Sequence, residues 1–320
     1  TRRWEHNSDR DKAGYVDLSY KWKLDNGSAF DFSAGGMYRD KNRDSFFNEY
    51  TFNSATGSGD PQYLGEDWNN FDEILLTPRR YGNISDPLNY DATERIGAGY
   101  GMVKYTWDKW ELIGGVRVEH TDQGYPLKSP TENADPEGRQ RYTDVLPSFH
   151  AKYGVHKNAN IRFSYGRSIN RPSFFEIVPY SIINEDYKEK GNPDLKHTVA
   201  DNIDLRYEFF PKTSEQFMVG LFYKRLNNPI EYGLLNEGQD VYYKPMNFGD
   251  ATNLGVEIDV MKYFNWFGIK ANYTYTHSSI TTDKRVMEGS EVKSVSQSRP
   301  LFGQAAHVAN LSSLFMGGNT

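Results

Sequence analysis

Asn202-Ile203-Asp204-Leu205-Arg206-Tyr207-Glu208-Phe209 decides the fold, because every second residue is apolar and every residue between is polar or charged. That period of two describes an extended strand with one apolar face and one wet face, a separation no helix achieves from this order. A short break at Pro211 to Ser214 follows, and the alternation resumes over 215–225. The pair reads as two antiparallel strands joined by a tight turn.

The pattern extends both ways. Val16, Leu18, Tyr20, Trp22 and Leu24 oppose Asp17, Ser19, Lys21 and Lys23. Leu254, Val256, Ile258 and Val260 oppose Asn253, Gly255, Glu257 and Asp259, and Phe267, Ile269, Ala271, Tyr273 and Tyr275 oppose Gly268, Lys270, Asn272, Thr274 and Thr276. Comparable stretches near 28–39, 91–106, 111–121, 141–154, 161–169 and 304–316 bring the expectation to about eleven strands, many longer than the usual five or six residues.

The connections alternate in length. Short turns stand at Asp25-Asn26-Gly27-Ser28, Trp107 to Trp110, His156 to Asn160, Pro211 to Ser214 and Phe264 to Trp266. Asn-Gly in the first is expected to supply the positive φ angles of a hairpin turn. Long polar connections occupy roughly 40–90, 122–140, 170–197, 226–251 and 278–303. Short on one rim and long on the other is the pattern of an all-β, antiparallel transmembrane β-barrel, with short periplasmic turns and long extracellular loops. A soluble antiparallel sandwich shares the alternation. Strands near ten residues, the persistent loop asymmetry, and Tyr, Trp and Phe near strand ends favour the barrel.

Composition narrows the function. The 320 residues are 37% hydrophobic and 15% aromatic, with 28 glycines, and no run approaches the roughly 18 apolar residues of a membrane helix. A formal charge of −6 disfavours a nucleic-acid binder. The absence of cysteine removes thiol catalysis, disulfides and Cys-ligated metals. Seven histidines form no H-E-x-x-H and there is no G-x-S-x-G, so no enzyme reading has specific support and no cofactor is expected. The acidic stretch Glu132 to Glu137 lacks the spaced ligands of a calcium loop. No linker composition divides the chain, so residues 1–320 are expected to belong to a single barrel domain.

Specific motifs lie in the second half. Ser164-Tyr165-Gly166-Arg167-Ser168-Ile169-Asn170-Arg171-Pro172-Ser173-Phe174 is followed by Gly191-Asn192-Pro193-Asp194-Leu195-Lys196. Asn253-Leu254-Gly255-Val256-Glu257, Ala271 to Thr276, Arg299-Pro300-Leu301-Phe302-Gly303-Gln304 and His307 to Leu311 come after in order. Together they resemble the barrel of TonB-dependent outer-membrane receptors, in the form common among Bacteroidetes-type sequences. Gly255 reads as a close-approach or bulge position.

The resemblance implies an importer of a scarce nutrient in the bacterial outer membrane, energised through the TonB complex, rather than an enzyme. Its plug, its amino-terminal region and its final strands have no counterpart in these residues. The expectation is therefore a partial barrel, about half of roughly 22 strands, that does not close by itself. Ligand contacts are expected from the long loops: Trp68, Arg79, Arg80 and Tyr81; Arg171, Tyr180, Asn184 and Tyr187; and Tyr242. Aromatic faces stack on sugars or catecholates, and arginines pair with carboxylates. Lys21, Lys23, Arg117, Arg206, Glu208, Glu257, Asp259 and Lys270 are expected to line a salt-bridged, hydrated lumen. Expected partners are outer-membrane lipid, the TonB complex through the plug, a small nutrient (siderophore, oligosaccharide or peptide) and a surface lipoprotein, with no nucleic acid. A passive substrate-specific porin and the barrel anchor of an envelope complex are the rival readings.

Overall fold

The computed structural model describes residues 2–50, 52–54, 76–78, 87–130, 135–183, 188–237, 240–288 and 291–315. Two long strands, β1 (Arg2–Lys23) and β2 (Ala29–Tyr50), precede a small pair, β3 (Phe52–Ser54) and β4 (Leu76–Pro78). Four further strands follow: β5 (Tyr90–Trp107), β6 (Trp110–Pro126), β7 (Glu137–His156) and β8 (Ala159–Asn170). The next connection carries a single helical turn, α1 (Phe174–Ile177), with β9 (Ser181–Ile183) and β10 (Lys188–Lys190). Then come β11 (Thr198–Phe209), β12 (Gln216–Asn227), the hairpin β13 (Ile230–Glu237) and β14 (Asp240–Asn247), and β15 (Ala251–Phe264). The last are β16 (Phe267–Glu288), β17 (Glu291–Arg299) and β18 (His307–Phe315). No described helix is long and apolar enough to cross a membrane.

The main sheet is antiparallel in the order β1-β2-β5-β6-β7-β8-β11-β12-β15-β16-β17, with β18 also on β16. Its path runs from β1 to β17 and β18, and no described pairing joins the two ends. β17 pairs the upper part of β16 (Ile280 to Glu288) and β18 the lower part (Phe267 to Tyr275), so the two form one interrupted pass. Ten continuous strands and this broken one make eleven passes, matching the alternation read from the sequence. At the break, four residues of β16 face seven of the opposite chain, Pro300 to Ala306. Glu231 of β13 holds the excursion, accepting from the Arg299 guanidinium and the Phe302 N–H, each at 2.7 Å.

Register carries one face across the sheet. Val16 lies beside Gly36, Gly36 beside Gly99, Gly99 beside Val118, and Val118 beside Val145. Farther along, Phe163 lies beside Leu205, Leu205 beside Leu221, Leu221 beside Val256, and Val256 beside Tyr275. A one-residue slip in any pair would move a whole apolar row to the other face, so pairing and patterning enforce each other. This face is exposed, with Leu18 at 72% and Leu221 at 52%. Aromatics bound it near the short turns: Trp22, Phe30, Tyr105, Trp107, Trp110, Tyr153, Phe209, Phe217, Phe264 and Phe267. About five alternate side chains above them the row turns charged, at Lys12, Arg95, Asp122, Arg167, Asp201 and Arg225. The apolar band thus has the height of a membrane β-strand.

Two sequence expectations change here. The first turn uses one positive φ, at Gly27 (81°), while Asn26 acts through its side chain: Oδ1 accepts from the Ser28 N–H at 3.0 Å and from Ser28 Oγ at 2.7 Å. The upper strand halves are also longer than their alternation suggests, with β2 continuing through Phe46 and Phe47 to Tyr50, residues expected in the loop 40–90. Above the band both faces meet water, so the apolar signal disappears while the pairing persists. Ion pairs replace it, such as Arg139 Nε to Asp122 at 2.7 Å and Arg167 Nε to Asp201 at 2.9 Å.

Candidate functional site

The fully buried apolar residues are concentrated on the polar face near the long-loop end. Tyr90, Ala92 and Leu127, with Tyr125 of β6, pack with Phe174, Ile177, Val178 and Leu195. Phe47 and Leu88 pack with Tyr180, with Phe175 and Ile182 against them. The connection 171–197 therefore folds across the polar face and is held by the upper wall.

Its start is a helix-capping device. Ser173 Oγ accepts from the Glu176 N–H at 3.3 Å, and the Glu176 carboxylate accepts from the Ser173 N–H at 2.7 Å. This capping box turns the chain so that Phe174 lies under Lys41 and Arg43, whose cationic groups are 5.5 and 5.6 Å from its ring centre. Gln123 Nε2 donates to the Pro172 carbonyl at 2.8 Å, and Gln140 Nε2 to the Leu195 carbonyl at 2.7 Å. Two wall glutamines thus fasten both ends of the connection.

Below it lies a polar cluster from three elements. Arg171 Nε donates to Thr121 Oγ1 at 3.0 Å, and its guanidinium pairs with Glu119, which also binds Arg117. His197 Nε2 meets Asp144 Oδ1 at 2.9 Å, and its ring stacks on Tyr142 with centres 3.9 Å apart. Burial pushes the Tyr142 hydroxyl up to about 12. The Tyr142 hydroxyl and Asp144 Oδ2 are buried with no partner among the described residues.

A second sheet, in the order β13-β14-β10-β9, joins two connections expected to be loops. β10 runs parallel to β14, pairing Lys188 with Tyr242. Tyr232 and Tyr243 stack at 5.0 Å, and burial raises the Tyr232 hydroxyl to about 12.

Among the residues expected to contact ligand, Arg171, Tyr180 and Tyr242 occupy different places. Arg171 belongs to the Glu119 cluster on the wall. Tyr180 is 0% exposed, its hydroxyl donating to Glu189 at 2.8 Å, so it packs the loop. Burial and that carboxylate hold its hydroxyl well above the usual phenol range. Tyr242 lies under Lys190 and Lys188, 4.9 and 5.9 Å from its ring centre. Trp68, Arg79, Arg80, Tyr81, Asn184 and Tyr187 lie outside the described residues, as do residues 132–134 of the acidic stretch. Thr121, Tyr142, Asp144 and His197 carry no functional motif in the sequence. The alternation of β6 and β7 marks their face, but their partners lie about fifty residues away in sequence and leave no local signal.

The lower polar wall is paired as expected. Arg162 Nε is 2.7 Å from Glu208, Arg206 is 3.4 Å from Glu257, and Lys21 is 3.6 Å from Asp31. A hollow of about 440 Å³ opens beside Glu111, His150, Lys152, Arg162 and Arg206. Among the described residues no group of three His, Asp or Glu is placed to hold a metal ion. Among the described residues the arrangement offers aromatic faces, cations and hydrogen-bonding groups along the charged face of the sheet, a set of groups suited to polar solutes.

Among solved structures, the siderophore receptor PiuA from Acinetobacter baumannii superposes with a TM-score of 0.68 at 15% identity, covering 97% of this chain and 44% of that one. The ferric-catecholate import receptor Fiu from E. coli K12 gives 0.62 at 15%, covering 98% and 43%. The hemophore receptor HasR of Serratia marcescens gives 0.62 at 11%, covering 98% and 48%. The chain thus spans less than half the length of these receptors, and at such identities the likeness is one of fold. No curated protein matches it closely in sequence. The family model of the TonB dependent receptor-like β-barrel matches residues 1–317. Apolar face, charged face, short turns on one rim and connections packed near the other are therefore features of a bacterial outer-membrane β-barrel wall, and the chain belongs to the TonB-dependent receptor β-barrel family.

Proposed function

We propose that this chain is the receptor half-wall of an active importer, which takes up a scarce nutrient across the outer membrane with energy delivered through TonB. The observation that carries the reading is the two-faced sheet with the connection 171–197 folded across its polar face. In this reading the eleven passes are about half of a roughly 22-stranded barrel, and a plug outside these residues transmits the TonB contact. The Bacteroidetes-type assignment rests on the sequence motifs alone.

Among the nutrient classes considered, an iron chelate is favoured, because the structural relatives carry names of siderophore, ferric-catecholate and hemophore receptors. Arg171 and Tyr242 offer a cation and an aromatic ring at the loop end; Trp68, Arg79, Arg80, Tyr81, Asn184 and Tyr187 are proposed contacts on sequence grounds. Tyr180 acts by shaping the loop. A surface lipoprotein is a further proposed partner of the long loops.

The test is uptake of radiolabelled ferric chelates by cells expressing the full-length protein, with and without functional TonB. Saturable uptake that vanishes without TonB supports the reading. Uptake that persists without TonB would assign a passive porin, and stable co-purifying proteins with no saturable ligand would assign an envelope anchor.

A further inference from the structure

The short-turn rim carries a hollow of about 600 Å³ between two neighbouring turns, lined by Lys212, Ser214, Glu215, Lys262, Phe264 and Trp266, among others. Register places Lys262 on the apolar face: Val260 lies beside Phe217, Lys262 beside Ile269, and Phe264 beside Phe267. A lysine there is tolerable only where its ammonium reaches the headgroup layer. The neighbouring rings mark that level, with Phe264 and Phe267 stacked at 4.9 Å and Trp266 and Phe315 at 6.0 Å. Trp266 is 65% exposed, as suits an indole at a membrane–water boundary.

The charge is unbalanced. Glu215 is buried and accepts from Lys262 Nζ at 2.7 Å, with Lys212 Nζ at 3.8 Å. Two ammonium groups share one carboxylate, so the hollow keeps one net positive charge beside an apolar wall. We propose that this hollow binds the headgroup of an anionic phospholipid, its phosphodiester between Lys212 and Lys262 and its acyl chains along Phe217, Val260 and Phe267. A zwitterionic headgroup brings its own cation to the same lysines and is disfavoured.

The inference rests on the short-turn rim lying at the periplasmic leaflet. Its test is native mass spectrometry of the full-length protein with phosphatidylglycerol or phosphatidylcholine added. One phosphatidylglycerol should be retained in preference, and Lys212→Gln, in an exposed turn, should lower retention about five-fold. Lys109→Gln, on the β5–β6 turn two hairpins away along the same rim, should leave it unchanged. Lys262→Gln should act like Lys212→Gln, but it strips the buried Glu215 of its closest partner, so the Lys212 variant decides. Equal retention of both lipids, or wild-type retention by Lys212→Gln, overturns the proposal. Weakly held annular lipid reports the apolar band itself; its loss would indicate failure of the membrane reading instead.

Discussion

At the scale of single residues, backbone approach and charge pairing set the constraints. Gly255 has no room for a side chain: a Cβ would overlap the Tyr275 carbonyl and lie 2.6 Å from Phe222 Cζ. Because one obstacle is backbone of the paired strand, it cannot swing aside as a side chain would. Gly255→Ala is expected to cost about 1–3 kcal/mol, read as a lowered midpoint of urea unfolding in bilayers. Above the band, Asp122 accepts from Arg139 Nε at 2.7 Å and Arg141 Nε at 3.2 Å. The Arg139 bond is the main reason its carboxyl falls from 3.8 to about 2, with Arg141 adding to it. A depressed carboxylate stabilises the fold above its unfolded value and loses that contribution as pH falls through about 2. Asp122→Asn should therefore flatten the acid limb of the stability profile between about pH 4 and 2, while costing less than about 1 kcal/mol at neutral pH because the site is exposed. An unchanged acid limb would show that the pairing is screened out.

At the scale of elements, the strands answer to the bilayer. Leu205 sits mid-band, with Phe163 and Leu221 beside it. Leu205→Arg should cost about 2–4 kcal/mol of stability in lipid, measurable by reversible unfolding from vesicles, and an unaltered midpoint would refute the assigned face. In the connection 171–197, Ser173→Ala removes the cap from α1 and should destabilise it by about 0.5–2 kcal/mol, seen as faster amide exchange at Ile177 and Val178. These elements differ in how legible they were. Mid-band strands such as Ile203 to Phe209 were plain, because lipid on one side and water on the other write an alternating code. The upper half of β1, from Arg3 to Asp11, was silent because both its faces are wet. The Ser-x-x-Glu signal of α1 stands in the sequence at Ser173 and Glu176, but one turn inside a long polar connection has no apolar repeat beside it to mark a helix. The β13-β14-β10-β9 sheet stayed hidden for another reason. Its parallel pairing of Lys188 with Tyr242 joins residues far apart in the chain, and no local pattern encodes that.

At the scale of the whole molecule, the two rims face different compartments. The sequence has no cysteine, so a single introduced thiol reports its own position. Cysteine at Asn192 is expected to react with an impermeant maleimide on intact cells, and cysteine at Asn26 only after the outer membrane is opened. The reverse pattern would invert the topology. What made the overall architecture readable was the repetition of short turns and long connections; the polar cluster of Arg171, Glu119, Asp144 and His197 was not readable, since it exists only once both ends of the connection 171–197 meet β6 and β7. The fastening of the connection 171–197 by Gln123 and Gln140, and by Asn192 donating to the Pro245 carbonyl at 2.9 Å, bears on how such proteins diversify. Exchanging this connection alone with that of a sibling barrel would leave wall amides facing strangers. New ligand preferences should therefore arise by transferring the connection together with its wall glutamines and the β13–β14 hairpin, as one inherited block.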